Sequence, residues 1–205
     1  MSYNYKQAKF YTTVNDLRQL PRVNQEIAIV GRSNAGKSSL LNTLTNQTRL
    51  AFTSKTPGRT QHINYFTIGE GTYLVDLPGY GYAKVPEPIR LHWVTLLGDY
   101  LQKRRELVGL VLIMDARRPL QDLDLQMIEF FSTTGKPLHI VLSKADKLTH
   151  QEKIKTMRWI VEEMEQLGIA HLTVQLFSSL KKTGVSELEQ QLNQWLDSCE
   201  EDLTE

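Results

Sequence analysis

The chain alternates between short, nearly unbroken apolar runs and longer stretches in which apolar residues recur every three or four positions. Residues 26–31 (EIAIVG), 72–78 (TYLVDLP), 107–116 (LVGLVLIMDA), 137–144 (PLHIVLSK) and 171–179 (HLTVQLFSS) are of the first kind, rich in Val, Ile and Leu. Runs of that length and composition predict strands covered on both faces. Residues 62–69 (HINYFTIG) instead alternate apolar with polar, and the Gly-Glu-Gly at 69–71 joins them to residues 72–78 as a hairpin. Helical periodicity occupies roughly residues 36–46, 87–105, 121–133, 149–166 and 184–198. Thr149 three residues before Glu152 forms a start signal, as does Gly184-Val185-Ser186, while Gly135 and Gly168 stand where helix ends need positive φ. Strand–helix alternation at this spacing predicts right-handed crossovers and a three-layer α/β domain. Its sheet is expected to be six-stranded and mostly parallel, with one antiparallel strand and helices on both faces. The expected division is an N-terminal extension packed on the domain (1–24), the domain itself (25–198) and an acidic tail (199–205).

Length and composition fit that picture. The 205 residues are enough for one domain with a full core, and 40% hydrophobic with 23% charged residues is a globular balance. Cys199 is the single cysteine, so no internal disulfide forms, and a reducing compartment is expected. The first residues, MSYNYKQAKFYTT, carry no apolar segment of signal-peptide length, and no 18-residue apolar run follows. A cytoplasmic monomer with no membrane attachment is therefore the expectation. The net charge of +1 conceals an asymmetry: residues 1–118 hold 16 Lys/Arg against 8 Asp/Glu, and residues 119–205 hold 8 against 15. A basic half attracts nucleotide or RNA, although such linear asymmetry also disperses when a chain folds.

The chemistry concentrates at the ends of the predicted strands. Gly31, Arg32, Ser33, Asn34, Ala35, Gly36, Lys37 and Ser38 match G-x-x-x-x-G-K-[ST], after a predicted strand and at the start of a predicted helix. In such a loop the backbone N–H groups surround phosphates, helped by the positive end of the helix dipole. Lys37 would reach the β- and γ-phosphates, and the Ser38 hydroxyl would ligate Mg²⁺. Asp76-Leu77-Pro78-Gly79 closes another strand, where Asp76 can hold a magnesium-bound water and the Gly79 N–H can meet a γ-phosphate. Between the two lies the polar stretch TSKTPGRTQ (53–61), expected to be a mobile loop. A switch needs a hydroxyl that binds Mg²⁺ only while the γ-phosphate is present; Thr56 and Thr60 both qualify, and Thr60, nearer the following strand, is preferred.

Ser143-Lys144-Ala145-Asp146 follows the strand at 137–144. Guanine presents N1–H and a 2-amino group side by side, and a carboxylate such as Asp146 accepts from both, which adenine cannot offer. The Lys144 stem can lie over the base, and backbone N–H groups at Phe177-Ser178-Ser179 can donate to guanine O6. Lys103-Arg104-Arg105, Arg117-Arg118 and Lys181-Lys182 are either RNA-phosphate contacts or solvated surface. Trp93, Trp159 and Trp195 fall on helix patterns and read as packing residues. The five histidines show no metal-ligand spacing.

The ordered set GRSNAGKS, TPGRTQ, DLPGYG, SKAD and FSS resembles the EngB family (also called YsxC or YihA) of bacterial GTPases. DLPGYGYAKV and TSKTPGRTQ are the most distinctive matches. The resemblance implies a Ras-like P-loop GTPase that assists assembly of the large ribosomal subunit and is needed for normal cell division and septation. It implies GTP or GDP contacts at residues 31–38, at Gly58, Arg59, Thr60 and Gln61, and at 76–79, 143–146 and 177–179, with Mg²⁺ at Ser38 and Thr60. Ser143 stands where relatives commonly carry Asn or Thr. Tyr80 stands where Ras-type enzymes place the Gln that orients the attacking water, so intrinsic hydrolysis should be slow. Related GTPases with that substitution use K⁺, bound in part by an Asn at the position of Asn34, near the β–γ bridge where an arginine finger would otherwise act. Lys37, Thr60, Gly79 and Asn34 are thus the expected catalytic set. Two rival readings are a nucleotide-gated ribosome- or rRNA-binding module with negligible turnover, and a P-loop ATPase or nucleotide kinase, which SKAD argues against.

Overall fold

A computed structural model describes residues 3–51, 62–81, 87–169 and 171–202, the side chains of 87–94 and 200–202 excepted. Seven strands form one sheet: β1 (Lys9–Val14), β2 (Gln25–Gly31), β3 (Ile63–Gly69), β4 (Thr72–Asp76), β5 (Leu107–Asp115), β6 (Leu138–Ser143) and β7 (Leu172–Leu176). Five α-helices accompany them: α1 (Lys37–Leu44), α2 (Glu87–Lys103), α3 (Asp122–Ser132), α4 (His150–Gln166) and α5 (Val185–Asp202). The spatial order is β1-β3-β4-β2-β5-β6-β7. Only β3 runs against its neighbours, pairing antiparallel with β1 and β4, and every other pair is parallel. The mostly parallel α/β sandwich expected from the apolar runs is therefore what forms.

The strand count needs a correction. The sequence predicts six strands and treats residues 1–24 as an extension, but Lys9–Val14 is a seventh strand, hydrogen-bonded along β3. It is an edge strand with most side chains exposed, so it lacks the apolar run that marks the others. The register slips between Phe10 and Thr12, a bulge that further masks alternation. The residues before it are also tied down. Tyr5 is buried and its hydroxyl donates to Asn193 Oδ1 at 2.7 Å, while Gln47 Nε2 donates to the Ala8 carbonyl at 2.7 Å. A second correction concerns β7, which forms the opposite edge and is only half-buried rather than covered on both faces. At the other end of the chain, helix α5 continues through Cys199 to Asp202, taking in part of the expected tail.

The central strand β2 is buried along its whole length. Two apolar clusters lie on its two sides. One contains Leu96, Tyr100 and Leu101 of α2, Ile128 and Phe131 of α3, and Ile160 and Met164 of α4. The other contains Leu40, Leu41 and Leu44 of α1 with Leu188, Leu192, Trp195 and Leu196 of α5. The helices begin where their signals predict. Thr149 caps α4, with Glu152 Oε2 accepting from the Thr149 N–H at 2.7 Å, and Gly135 and Gly168 have φ of +70° and +63°. Trp195 packs in the core as expected; Trp159, by contrast, is exposed on α4 and donates to Glu163 at 3.1 Å.

The registers align Ile29 with Asp76 and Asp115 with Ser143, so the carboxyl ends of β2, β4, β5 and β6 finish in one row. Parallel α/β sheets bind ligands along such an edge, where successive crossovers leave to opposite faces.

Candidate nucleotide site

The loop at residues 31–38 runs from the end of β2 into α1. Its glycines are demanded by space and dihedral angle: a Cβ on Gly31 would stand 2.6 Å from the Ile113 carbonyl oxygen, and Gly36, the residue preceding α1, has φ +103°. Asn34 is also left-handed, with φ +64°. Main-chain bonds close the turn, from Ala35 N to Arg32 O at 3.0 Å and from Leu40 N to Gly36 O at 2.9 Å. Lys37 opens the helix, and its ammonium makes a close contact with the Asp76 carboxylate at the tip of β4. The cation expected to bind phosphate and the carboxylate expected on the magnesium side are thus brought together. Leu77, Pro78 and Gly79 follow, all buried, with Leu77 N donating to Ile29 O at 3.0 Å.

The segment expected to read the base, 143–146, is tied to this loop by two bonds. The Ser143 hydroxyl donates to the Ala35 carbonyl, and Lys144 Nζ donates to the Asn34 carbonyl at 2.8 Å. Lys144 itself is left-handed, with φ +58°, which turns the chain into the short helix holding Ala145 and Asp146. Asp146 is aimed from the other side by Ser178, whose hydroxyl donates to Oδ1 at 2.6 Å. That hydrogen bond, aided by Lys147, lowers the Asp146 pKa and keeps the carboxylate ionised, the state required to accept from two N–H donors. The segments are also joined through the backbone: Ala145 N donates to Phe177 O at 3.0 Å and Phe177 N to Leu142 O at 2.8 Å. Phe177 and Ser178 are buried and Ser179 partly so.

Two groups missed in the sequence reading complete the site. Asp115, at the tip of β5, receives Lys144 Nζ at 2.9 Å and the Arg117 guanidinium at 2.7 and 2.9 Å. Burial would raise its pKa, but the hydrogen bonds from Arg117 and Lys144 overcome it and hold the carboxyl well below the usual range. Asp115 ends an apolar strand just as Asp76 does, so the same sign was available in the sequence. The second is Asp124 in the first turn of α3, wholly buried, which accepts from the Tyr80 hydroxyl at 2.8 Å. Tyr80 stays protonated, because burial and the Asp124 charge both push its pKa up. A cleft of about 460 Å³ lies over Ser33, Asn34, Asp115, Arg117, Arg118 and Lys144.

The structure therefore gathers residues 31–38, 76–79, 143–146 and 177–179 at one end of the sheet. Thr56, Gly58, Arg59, Thr60 and Gln61 lie outside the described residues. The basic clusters divide. Arg104 is turned inward onto Glu26 at 2.9 Å, Lys103 pairs with Asp99 at 2.9 Å, and Arg117 is committed to Asp115. Arg118, Lys181 and Lys182 remain at the surface.

A Ras-like sandwich carrying a phosphate loop, a DxxG turn and an S-K-A-D base loop at one sheet edge defines a P-loop GTPase. A family model described as 50S ribosome-binding GTPase matches residues 26–144. The chain is 58% identical over 197 residues to a "Probable GTP-binding protein EngB" of Neisseria meningitidis serogroup B, covering 96% of this chain and 94% of that one. A relative of the same description from Dechloromonas aromatica is 59% identical over 195 residues, covering 94% and 89%. The chain belongs to the EngB family of GTP-binding proteins and, with that family, is a GTPase. Solved structures agree on the fold. A crystal structure of a probable GTP-binding protein EngB superposes with TM-score 0.69 at 19% identity, covering 84% of this chain and 99% of that one. Era in complex with MgGDPNP and a segment of 16S ribosomal RNA superposes with TM-score 0.66 at 22% identity, covering 85% and 57%. Among the described residues no helix is long and apolar enough to cross a membrane.

Proposed function

We propose that this GTPase is a slow nucleotide switch acting in the cytoplasm on the large ribosomal subunit or its assembly intermediates, with normal cell division and septation depending on it. The observation that carries the reading is the cross-bonding of the two nucleotide-facing loops: Ser143 and Lys144 hold the carbonyls of Ala35 and Asn34, so base and phosphates are gripped by one connected unit. The family's ribosome-binding description supports the partner, and Era, a neighbour in fold, is described in complex with ribosomal RNA.

In this reading Asp146 accepts from guanine N1–H and the 2-amino group, while Lys144 lies over the base and residues 177–179 donate to O6. The N–H groups of residues 31–38 and Lys37 take the phosphates, with the α1 dipole behind them. Gly58, Arg59, Thr60 and Gln61 complete the nucleotide contacts. Ser38 and Asp76 supply hard oxygen donors beside Lys37, a set that fits Mg²⁺ with waters and phosphate filling the remaining positions. Thr60 would join them in the triphosphate state, and the ion would neutralise charge on the phosphate oxygens. The Asn34 carbonyl accepts from Lys144, and the Asn34 side chain is the group that would meet K⁺. Tyr80, with its hydroxyl on Asp124, does not do the work of a water-orienting Gln, so intrinsic turnover is slow and potassium or the ribosomal particle raises it.

Sedimentation of ribosomal particles with the protein tests the switch. Co-sedimentation with the large subunit in the GTP-analogue state and not with GDP is expected; equal binding in both states would refute it. The same Tyr80 observation favours the second reading, a gated binding module with negligible turnover. Phosphate release that stays near zero with ribosomal particles and KCl would establish that reading instead. An Asp146→Asn variant should lose guanine preference in a GTP-versus-ATP competition, and turnover equal in KCl and NaCl would remove K⁺ from the scheme.

A further inference from the structure

The Asp124 carboxylate has no place in the nucleotide contacts, yet it is fully buried and three donors converge on it. Oδ2 accepts from the Gln121 N–H at 3.0 Å, which completes the first turn of α3. Helix capping accounts for that oxygen alone, and it does not require burial. Oδ1 accepts from the Tyr80 hydroxyl at 2.8 Å and lies 3.4 Å from Arg32 Nε, a buried nitrogen with no hydrogen-bond partner of its own.

These two partners are the residues immediately after Gly79 and Gly31. Their backbones are already laced together: Tyr80 N donates to Gly31 O at 3.3 Å, Ser33 N donates to Tyr80 O at 2.9 Å, and Arg32 bridges Tyr80 as one more rung of parallel sheet. Just beyond, Gly81 turns away with φ +78°, where a Cβ would crowd Leu123 Cδ1 at 3.2 Å. The DxxG turn is thus clamped between the phosphate loop on its main-chain side and α3 on its side-chain side. A γ-phosphate is distinguished from its absence by N–H groups whose separation must hold to a few tenths of an ångström, and such placement depends on the groups behind them.

We propose that Asp124 is a positioning residue for the GTPase reaction, fixing through Tyr80 and Arg32 the distance between the Gly79 N–H and the phosphate loop, and so setting discrimination between GTP and GDP. Tyr80, standing in the usual place of a catalytic Gln, serves as the tether of the turn. The inference rests on the reading of Gly79 as a γ-phosphate contact. Its stability cost is a buried carboxylate, which hydrogen bonds from Tyr80 and Gln121 and the nearby Arg32 charge offset.

The test measures the affinities of GDP and of the imido analogue GMPPNP, with Mg²⁺, for the wild type and for Tyr80→Phe, Asp124→Asn, the double variant and Gly79→Ala. Tyr80→Phe keeps the ring and removes only the donor, so it reports even where Asp124→Asn folds poorly. The ratio of analogue to GDP affinity should fall roughly tenfold in each single variant, as befits one charge-assisted hydrogen bond. GDP affinity should stay within about twofold, and the double variant should be no worse than the poorer single, because both changes act on the same Tyr80–Asp124 contact, one by removing the donor and the other the charge of the acceptor. An unchanged ratio in Tyr80→Phe, or GDP and analogue weakening by the same factor, overturns the proposal and leaves Asp124 a helix cap. Gly79→Ala separates the two levels: a normal ratio there refutes the γ-phosphate reading itself, whereas a lowered ratio there beside a normal one in Tyr80→Phe refutes only the tether.

Discussion

The two ends of the sheet use the same kinds of side chain for opposite purposes. At the amino ends of the strands, Glu26 is wholly buried and accepts from Tyr100 at 2.5 Å and from Arg104 at 2.9 and 3.0 Å, while Arg104 also donates to Pro21 O at 2.8 Å. Lys136 likewise donates to the carbonyls of Arg104 and Leu107 at 2.6 and 2.8 Å. These bonds link strand to helix and close on themselves. At the carboxyl ends the bonds from Ser143, Lys144 and Ser178 link loop to loop and that from Tyr80 ties a loop to the first turn of α3; of the groups so joined, Asn34, Ala35 and Lys144 line the cleft. The contrast leads to the expectation that the polar links at the amino ends hold the fold, whereas those at the carboxyl ends hold a ligand geometry. Variants at the first should change stability and spare nucleotide affinity, and variants at the second should do the reverse.

The largest effect is expected at Glu26. In Glu26→Ala the Arg104 guanidinium, only 10% exposed, keeps its charge and loses its buried counter-ion, with only the more exposed Glu106 left 3.3 Å from Nε. Removing one partner of a buried pair costs about 3–5 kcal/mol. Urea denaturation should show that loss, while GDP affinity of the folded fraction should match the wild type. A parallel fall in affinity would erase the distinction between the ends.

His139 offers a comparable effect through pH. It is buried, with ring nitrogens bonded to Thr173 Oγ1 at 2.7 Å and Gln175 Oε1 at 2.9 Å, and burial lowers its pKa to about 4. The unfolded imidazole titrates near 6.5, so the native state holds fewer protons between those values. Stability is therefore complete above pH ~6.5 and declines as pH falls toward 4, by about 3 kcal/mol from this group. The difference in unfolding free energy between wild type and His139→Asn should narrow over that range; a constant difference would show that His139 carries no such linkage.

Gly109 should show a smaller effect of the same class. The Trp195 ring packs against it, and a Cβ there would sit 2.4 Å from the ring. The contact is with a large rigid side chain in a packed core, so Gly109→Ala should lose about 1–3 kcal/mol. A thermal shift without any change in the GDP dissociation rate is the expected signature.

The two ends of the sheet are legible in the sequence to different depths for a physical reason. Motif spacing marks the carboxyl end because each loop is expected to deliver a specific group to a phosphate or base, and the segments so marked, 31–38, 76–79, 143–146 and 177–179, do lie together at that end of the sheet. Asp115 was equally legible at the tip of LVLIMD and was overlooked. Tyr80 was seen as a missing Gln, but its bond to Asp124, 44 positions away, has no local sign. At the amino end Glu26 looks like an ordinary first residue of EIAIVG, since its partner Arg104 lies 78 positions on. Strand β1 escaped because an edge strand in partial contact needs no apolar run.

The smallest and most discriminating effect belongs to Ser143. Its hydroxyl contributes only a hydrogen bond to the Ala35 carbonyl, and the Gly36 Cα lies so near that a Cβ there would stand 3.3 Å from Oγ. Ser143→Ala leaves packing intact and removes one of the two bonds between the phosphate loop and the base loop, that of Lys144 Nζ to the Asn34 carbonyl remaining. A net hydrogen bond of this kind is worth about 1 kcal/mol, or roughly fivefold in an equilibrium constant. Because Ser143 serves the joint between base and phosphates and not the γ-phosphate turn, GDP and GMPPNP should weaken together by that factor. Their ratio, the quantity expected to move in Tyr80→Phe, should hold. Unfolding free energy should change by less than about 1 kcal/mol, since the loops it joins are otherwise held by the main-chain bonds of Ala35 and Ala145. If Ser143→Ala instead lost more than about 2 kcal/mol of stability with unaltered affinity, the bond would belong with Glu26 and Arg104, and the division between the two ends of the sheet would fail at its nearest point to the nucleotide.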